Sequence, residues 1–417
     1  MQRVLVVLPF YGGSLPIGRY CASALREIGC LVEVFDSPSF YSAFSAVKKL
    51  NVAIERQEYL ENSFLQVVSQ SVLATAERFE PDLVLCMAQA PLSRQGLSRL
   101  RKDGVPTAMW FVEDYRLFTY WRAFAPLYDV FAVIQKEPFL SELAASGVAN
   151  ALYLPLAADP EAHKPLTLSP AEKQRFGADL SFMGAGYPNR RAAFRHLVRY
   201  GLKIWGTEWD GDPVLMPHVQ MQGQRISTED AVRIFNAATI NLNLHSSVKA
   251  EEIVPGGDFV NPRTFEIASC GAFQLVDKRS LMPDLFAEDE LALFTSLHEL
   301  EEKIAHFQTH PEERAAFAER GRNRVLSDHT YAARMRTLLD FVGERLPGRE
   351  RAVGRDWPED LPENLREELQ ELYAALGLPS EAGFSDVTAA VRRKNDTLTP
   401  LETAILFLDE WKKQYSL

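Results

Sequence analysis

Short apolar runs rich in β-branched residues alternate with longer stretches of helical period from the start of the chain to about position 345. "RVLVVLP" leads into "PIGRYCASALREIG", and then come "LVEVFD", an amphipathic stretch over 42–80, "DLVLCM", "LSRQGLSRLRKDG", "TAMWFV" and "YDVFAVI". Apolar runs of this length between turn formers predict buried strands, and the stretches between them predict helices covering both faces of a parallel sheet. The alternation lapses over 153–177, "YLPLAADPEAHKPLTLSPAEKQRFG", where repeated prolines predict an interdomain linker.

The pattern then restarts with "DLSFMG", a helix from about Asn189, "LKIWG", "TEDAVRIFNAA", "TINLNLH", a helix within 258–271, "AFQLVD", "ALFT" and further helices to about 345. The expected fold is α/β, with two doubly wound Rossmann-like domains, 1–160 and 161–345, facing across a cleft at the carboxyl edges of their strands. Ligand is expected in that cleft. Past it the strand signals stop, and "PENLREELQELYAALG" and "PLETAILFLDEWKKQY" predict a helical extension over 346–417. From Glu350 onward it holds 14 Asp and Glu against 8 Lys and Arg, so it supplies −6 of the formal net charge of −11. Such an acidic annex serves packing or self-association, or offers a docking surface to an acceptor or partner.

Composition changes this picture in three ways. At 417 residues, 47% hydrophobic and 24% charged, the chain can build two separate cores without staples. A net charge of −11 disfavours a nucleic-acid backbone as ligand and leaves room for a small anion held by a local basic cluster. The four cysteines, Cys21, Cys30, Cys86 and Cys270, form no C-x-x-C pair and lie in apolar stretches. They read as buried thiols in a reducing, cytoplasmic setting. "MQRVLVVLPFYGG" is too short for a signal-peptide core, and 18 apolar residues in a row occur nowhere, so no integral membrane segment is expected.

Two stretches look built for an anion. In "GADLSFMGAGYPNRRAAFRHL" a strand runs into Gly184 and Gly186, Tyr187 follows, and a helix opens at Pro188, a residue type suited to a first helical position. Free N–H groups of that first turn, with Arg190 and Arg191, suit a diphosphate. The third glycine of the dinucleotide fingerprint is missing, so NAD is not expected. In "DFVNPRTFEIASCGAFQLVD", Pro262 puts Arg263, Thr264 and Glu266 in one helical turn. A cation at the positive end of a helix dipole is unfavourable until an anion arrives, unless Arg263 simply pairs with Asp258 or Glu266.

Other residues reach the expected cleft edge. Trp205 and Gly206 end the strand "LKIW", where the indole either flanks a base or packs in the core, and His245 ends "TINLNLH" as a ligand contact or as a core or capping histidine. Gly12 and Gly13 in "YGGSLPIGR" allow close backbone approach, although no P-loop lysine follows. "FVEDYRLF" delivers Glu113 and Asp114, candidate general bases, or else caps and partners of Arg116 or Arg122. His306 and His310 have the i, i+4 spacing of a zinc pair, but no Glu follows the first His and no third ligand is evident, so they read as a solvated helix face.

"NPRTFEIASCGAFQLVD", with the later "DHTYAARMRTLL" at 328–339 and "FMGAGYPNRR", resembles the CgeB-like, spore-maturation-type glycosyltransferases over about residues 1–345. The resemblance implies the GT-B fold and a nucleotide sugar as co-substrate, its sugar passing to a hydroxyl of a glycan or protein. It also implies that cationic side chains and helix N-termini stand in for a metal. In the E-x7-E signature of retaining relatives, Glu266 would hold the ribose and Asp258, shorter than the usual Glu, the sugar, with Arg263, Arg190 and Arg191 facing the diphosphate. Departing phosphate charge is what such donors stabilise. The competing readings are a non-catalytic glycan- or partner-binding protein on the same scaffold, and a nucleotide-sugar epimerase.

Overall fold

The computed structural model describes residues 2–347, 361–380, 382–394 and 396–415; of the extension expected at 346–417, positions 348–360, 381, 395, 416 and 417 lie outside the described residues. Eleven strands form among the described residues: β1 (Arg3–Val7), β2 (Leu31–Phe35), β3 (Leu83–Met87), β4 (Thr107–Phe111), β5 (Val130–Val133), β6 (Ala151–Tyr153), β7 (Leu180–Met183), β8 (Leu202–Trp205), β9 (Ile240–Asn243), β10 (Gln274–Asp277) and β11 (Ala292–Phe294). They make a six-stranded sheet in the order β2-β1-β3-β4-β5-β6 and a five-stranded sheet in the order β11-β10-β9-β7-β8. The ladders β1 with β2 and β3, β5 with β6, β7 with β8 and β9, and β10 with β9 and β11 are all parallel. Every residue of β1, β3 and β4 is buried, the reason these strands read as unbroken apolar runs.

One element ends on the first residue of the expected linker and a second lies inside it. β6 is three residues long and half-buried, too short to show a period. Helix Pro170–Phe176 starts at a capping box in which Ser169 accepts from the Glu172 N–H and the Glu172 side chain reaches back, with Pro170 at the first helical position. The stretch 42–80 resolves into helices Tyr41–Lys48 and Ile54–Phe79.

By internal contacts the chain falls into two compact units, Met1–Gly18 with Leu25–Ala108 and Val342–Leu417, and Arg19–Ala24 with Met109–Phe341. In the first unit Val68, Val72, Ala76 and Phe79 of helix Ile54–Phe79 are buried. The extension helices Glu363–Leu376, Phe384–Arg392 and Pro400–Tyr415 have their own core of Leu369, Tyr373, Val387, Val391 and Ile405. They are tied to the first strand of the same unit: buried Arg3 donates to the Ser385 carbonyl at 3.4 Å and to the Phe79 carbonyl, with its guanidinium 5.1 Å from the Phe79 ring centre. Arg393 approaches the same ring at 5.8 Å.

The second unit holds the five-stranded sheet over a core that includes Phe182, Phe194, Ile204, Trp209, Leu242, Leu275 and Phe294. The chain steps from β7 to β8 on one side and then crosses to β9 on the other side of β7, so strand order reverses between β7 and β9. The loops leaving those two strands therefore flank a crevice of the kind that takes ligands in open α/β sheets. Among the described residues no helix is long and apolar enough to cross a membrane.

Candidate active site

The first wall is the turn after β7. Gly184 N–H donates to the Trp205 carbonyl at 2.9 Å and Gly186 N–H to that of Thr207 at 3.0 Å, zipping this turn to the one after β8. A Cβ on Gly186 would lie 2.1 Å from the Glu208 carbonyl oxygen, and one on Gly206, where φ is +118°, 2.5 Å from the Gly184 carbonyl oxygen. The two glycines are thus required by backbone meeting backbone. Tyr187 stands at the N-cap position of helix Pro188–Leu197 without a side-chain capping bond, and Arg190 and Arg191 brace the turns. Arg190 donates to the carbonyls of Leu244 at 2.9 Å and Ala185 at 3.0 Å, bridging the loops after β7 and β9. Burial pushes it down to about 10, so it stays charged at neutral pH. Arg191 donates to Gly186 at 2.9 Å, Asp210 at 3.1 Å and the Glu208 carbonyl. Both side chains expected to face a diphosphate are therefore engaged with carbonyls.

The second wall is the loop from β9 to helix Pro262–Ser269, held by a buried polar network. Asn261 N–H donates to His245 Nε2 at 2.9 Å, which fixes the ring proton on Nδ1, and Nδ1 donates to Asp277 at 2.7 Å. Burial lowers the His245 pKa despite that carboxylate. Asn261 caps the helix through its Oδ1 and the Thr264 N–H at 3.2 Å, while its Nδ2 donates to Asn243 at 2.7 Å. Asn243 donates in turn to Thr264 Oγ1 at 3.0 Å, and Gln274 to the Thr264 carbonyl at 2.8 Å. Of the roles open to His245, the structure shows the interior one. Thr264 likewise has its hydroxyl inside the network, within hydrogen-bond distance of Asn243 and Asn261. Asn189, fully buried, joins the two walls by donating to the carbonyls of His245 at 2.9 Å and Ile253 at 3.1 Å.

Within the helix, Arg263 pairs with Glu266. Glu266 is only 5% exposed. Burial opposes its charge, but the Arg263 guanidinium outweighs it and holds the carboxyl below its ordinary range. Asp258 does not join this pair: its oxygens accept from Gln135 Nε2 at 3.0 Å and Lys136 N–H at 2.8 Å. It shares the fields of Arg116 and Arg279 with Asp114, so the acidic loop after β4 and the one after β9 meet electrostatically. Asp114 also caps its own turn through the Arg116 N–H at 2.9 Å, and Glu113 accepts from Tyr120 at 3.1 Å. Trp205 is 1% exposed, in a core with Met183, Phe235 and Ile267, which settles the choice between base contact and core in favour of core. In the other unit Gly12 has φ +100°, and a Cβ at Gly12 or Gly13 would meet open space. A small cavity beside the helix is lined by Met183, Phe235, Asn243, Arg263 and Ile267.

Sequence reasoning passed over Asn189, Asn261, Asp277 and His163, whose signal lies in long-range pairing rather than in any motif. It also found no third ligand for His306 and His310; Glu313 of the next helix stands there, with the ligand-type atoms of all three within 4.8 Å of one another. All three are exposed and engage one another, His306 Nε2 lying 3.0 Å from Glu313 and the two rings stacking at 3.8 Å.

The "DHTYAARM" stretch clamps the first part of the expected linker. Arg334 donates to the carbonyls of Pro155 at 2.7 Å and Leu156 at 3.2 Å and to His329 Nδ1 at 2.7 Å, and Tyr331 N–H donates to Ala158 at 3.0 Å. Burial, then Arg334, drives His329 from 6.5 to about 4. As pH falls, the unfolded chain therefore takes up the proton first: stability is intact above about 6.5 and drains away toward pH 4. Thermal melts of His329→Gln should show a shallower decline over that window, by up to about 1.4 kcal/mol per pH unit. An unchanged slope would rule this out.

Residues 170–340 match the glycosyl transferase-like family. Spore protein CgeB of Bacillus subtilis (strain 168) is 26% identical over 255 residues, 58% of this chain and 77% of that protein. Among solved structures, sucrose-phosphate synthase of Thermosynechococcus elongatus superposes with a TM-score of 0.56 at 13% identity, covering 82% of this chain and 99% of that one. Anabaena HepE, solved in complex with UDP and glucose, gives 0.56 at 12% identity, covering 82% and 100%. These likenesses establish the GT-B fold. The glycosyl transferase-like match falls on the unit that carries both walls of the crevice, and together with the likeness to CgeB it supports a nucleotide-sugar-dependent glycosyltransferase.

Proposed function

We propose that the crevice between β7 and β9 takes the diphosphate of a uridine nucleotide sugar, that Glu266 accepts from the ribose, and that the sugar passes to a hydroxyl of a glycan or protein. The observation that carries this reading is the Arg263–Glu266 pair on a capped helix N-terminus at the point where strand order reverses. Such a pair offers a cation to phosphate and a carboxylate to hydroxyls within one turn of helix. Uridine follows HepE, which was solved with UDP. In this division of labour 161–345 binds the donor, 1–160 the acceptor, and 346–417 is an annex for self-association or a partner, in a cytoplasmic protein.

The role of each group follows from the bond that breaks. As the sugar carbon leaves the diphosphate, negative charge builds on the departing oxygen. Arg263, the N–H groups of the two helix N-termini, and the fields of Arg190 and Arg191 stabilise that charge, roughly 3 kcal/mol for a well-placed donor. Asp258, clamped by Gln135 and Lys136, sets the loop that faces the sugar. Asp114 or Glu113 takes the acceptor proton if configuration inverts.

Calorimetry with UDP-, GDP- and dTDP-sugars should show the UDP donor binding most tightly; binding to none of them overturns the reading. No step of this scheme calls on a metal, so initial rates in EDTA should stay within about twofold of those in Mg²⁺. A collapse in EDTA that Mg²⁺ restores would remove that part of it.

A further inference from the structure

His163 lies in the segment between β6 and helix Pro170–Phe176, 2% exposed, and no motif marks it. Its own N–H donates to the Asp159 carbonyl at 2.7 Å, and the Asp159 N–H donates to its Nδ1 at 3.2 Å. A backbone N–H can only donate, so Nδ1 presents its lone pair and the ring proton sits on Nε2. That Nε2 lies 3.5 Å from the Tyr20 hydroxyl and 3.9 Å from Glu266 Oε1. Tyr20 is held in turn by Thr228 Oγ1 at 3.1 Å. The segment is pinned to the site helix as well, because Ser269 Oγ donates to the His163 carbonyl at 2.6 Å. Glu266 thus has Arg263 on Oε2 and the imidazole Nε2 3.9 Å from Oε1, with the Tyr20 hydroxyl as the present partner of that nitrogen.

Resting on the reading of Glu266 as the ribose acceptor, we propose that His163 is its positioning residue: its Nε2–H secures Oε1 when Arg263 turns to the diphosphate, leaving Oε2 aimed at the ribose. At 3.9 Å the two atoms are outside hydrogen-bond distance while Arg263 holds the carboxylate. A buried carboxylate that gives up its cation needs another donor, or it withdraws toward water or takes a proton. The imidazole is the group placed to supply one, and being neutral it does so without competing with the nucleotide's charge. Burial lowers the His163 pKa, in keeping with that neutral form.

Asparagine and glutamine separate this role from mere anchoring of the segment. In His163→Asn the amide oxygen takes the place of Nδ1 and keeps the Asp159 contact, while the donor toward Glu266 is lost. In His163→Gln the amide nitrogen reaches the position of Nε2 and the Asp159 contact is lost. The quantity to measure is ribose discrimination, the Kd of 2′,3′-dideoxy-UDP divided by that of UDP, by calorimetry, or the same guanosine pair if GDP-sugar is the better donor. Wild type should discriminate by about 30-fold, a figure typical of a charge-assisted hydrogen bond, and Glu266→Ala by almost nothing. His163→Asn should lose about tenfold of that discrimination with its Tm near wild type, and His163→Gln should keep most of it even where its Tm drops. Full discrimination in His163→Asn, or its loss in a folded His163→Gln, overturns the positioning role while leaving Glu266 as ribose acceptor. Full discrimination in Glu266→Ala removes the reading on which it rests.

Discussion

In Glu266→Gln, affinity for the nucleotide donor falls by about 5- to 15-fold while Tm moves by only a few degrees. Glutamine keeps the volume of a side chain that is 5% exposed, so packing of helix Pro262–Ser269 survives. What goes is the charge. A hydrogen bond from a ribose hydroxyl to a desolvated carboxylate contributes about 2 to 3 kcal/mol, and to a neutral amide about half of that or less. Arg263 loses its partner too, but its side chain is 37% exposed and water takes over, which keeps the effect on stability small. Titrating wild type and variant with the same donor decides the matter. Equal affinities would mean that this carboxylate serves only to hold Arg263.

Gly206→Ala should have the largest effect on folding. The residue has φ +118°, and a Cβ there would sit 2.5 Å from the carbonyl oxygen, 2.9 Å from the carbonyl carbon and 3.2 Å from the nitrogen of Gly184. All three are backbone atoms and cannot turn aside as a flexible side chain would. Strain and overlap together cost about 3 to 5 kcal/mol, a fall in Tm of roughly 8 to 15 °C for a unit of this size. Gly211→Ala provides the comparison: φ there is +79° but nothing lies within 4 Å of the added carbon, so the cost is about 1 to 2 kcal/mol. Similar melting curves for the two variants would show that the turns after β7 and β8 can separate freely. Because those turns form one wall of the crevice, Gly206→Ala should also weaken donor binding at temperatures where the protein remains folded.

Much of the fold could be read from runs such as "LVLCM" and "VFAV", because a strand buried on both faces must be apolar throughout and helices on both sides enforce it. The site was legible where chemistry follows local order: Pro262 opens a helix and puts Arg263 and Glu266 within one turn, and the structure keeps them paired. It was not legible where the partner comes from far along the chain. Asp277 is 32 residues from His245, and Gln135 is 123 from Asp258. No periodicity links such pairs, since only the sheet order brings them together. Trp205 and Arg190 show the reverse problem. An indole and a guanidinium at a strand edge look like ligand contacts, but at this depth both are consumed by the framework, the one in a core and the other on two carbonyls.

Arg3 and Ser385, which touch, are 382 residues apart. A ribosome adding about 5 to 20 residues per second makes the later one roughly 20 to 80 seconds after the earlier. Through that interval β1 has to wait for the helices that Ser385 and Arg393 belong to or adjoin, its arginine still lacking one of its acceptors. The nascent chain is therefore most open to chaperones, and to mispairing of its first strand, before residues 361–394 emerge. A fusion or lesion near the carboxyl end should show itself first in the yield of soluble protein and only later in the affinity of the finished enzyme for its donor.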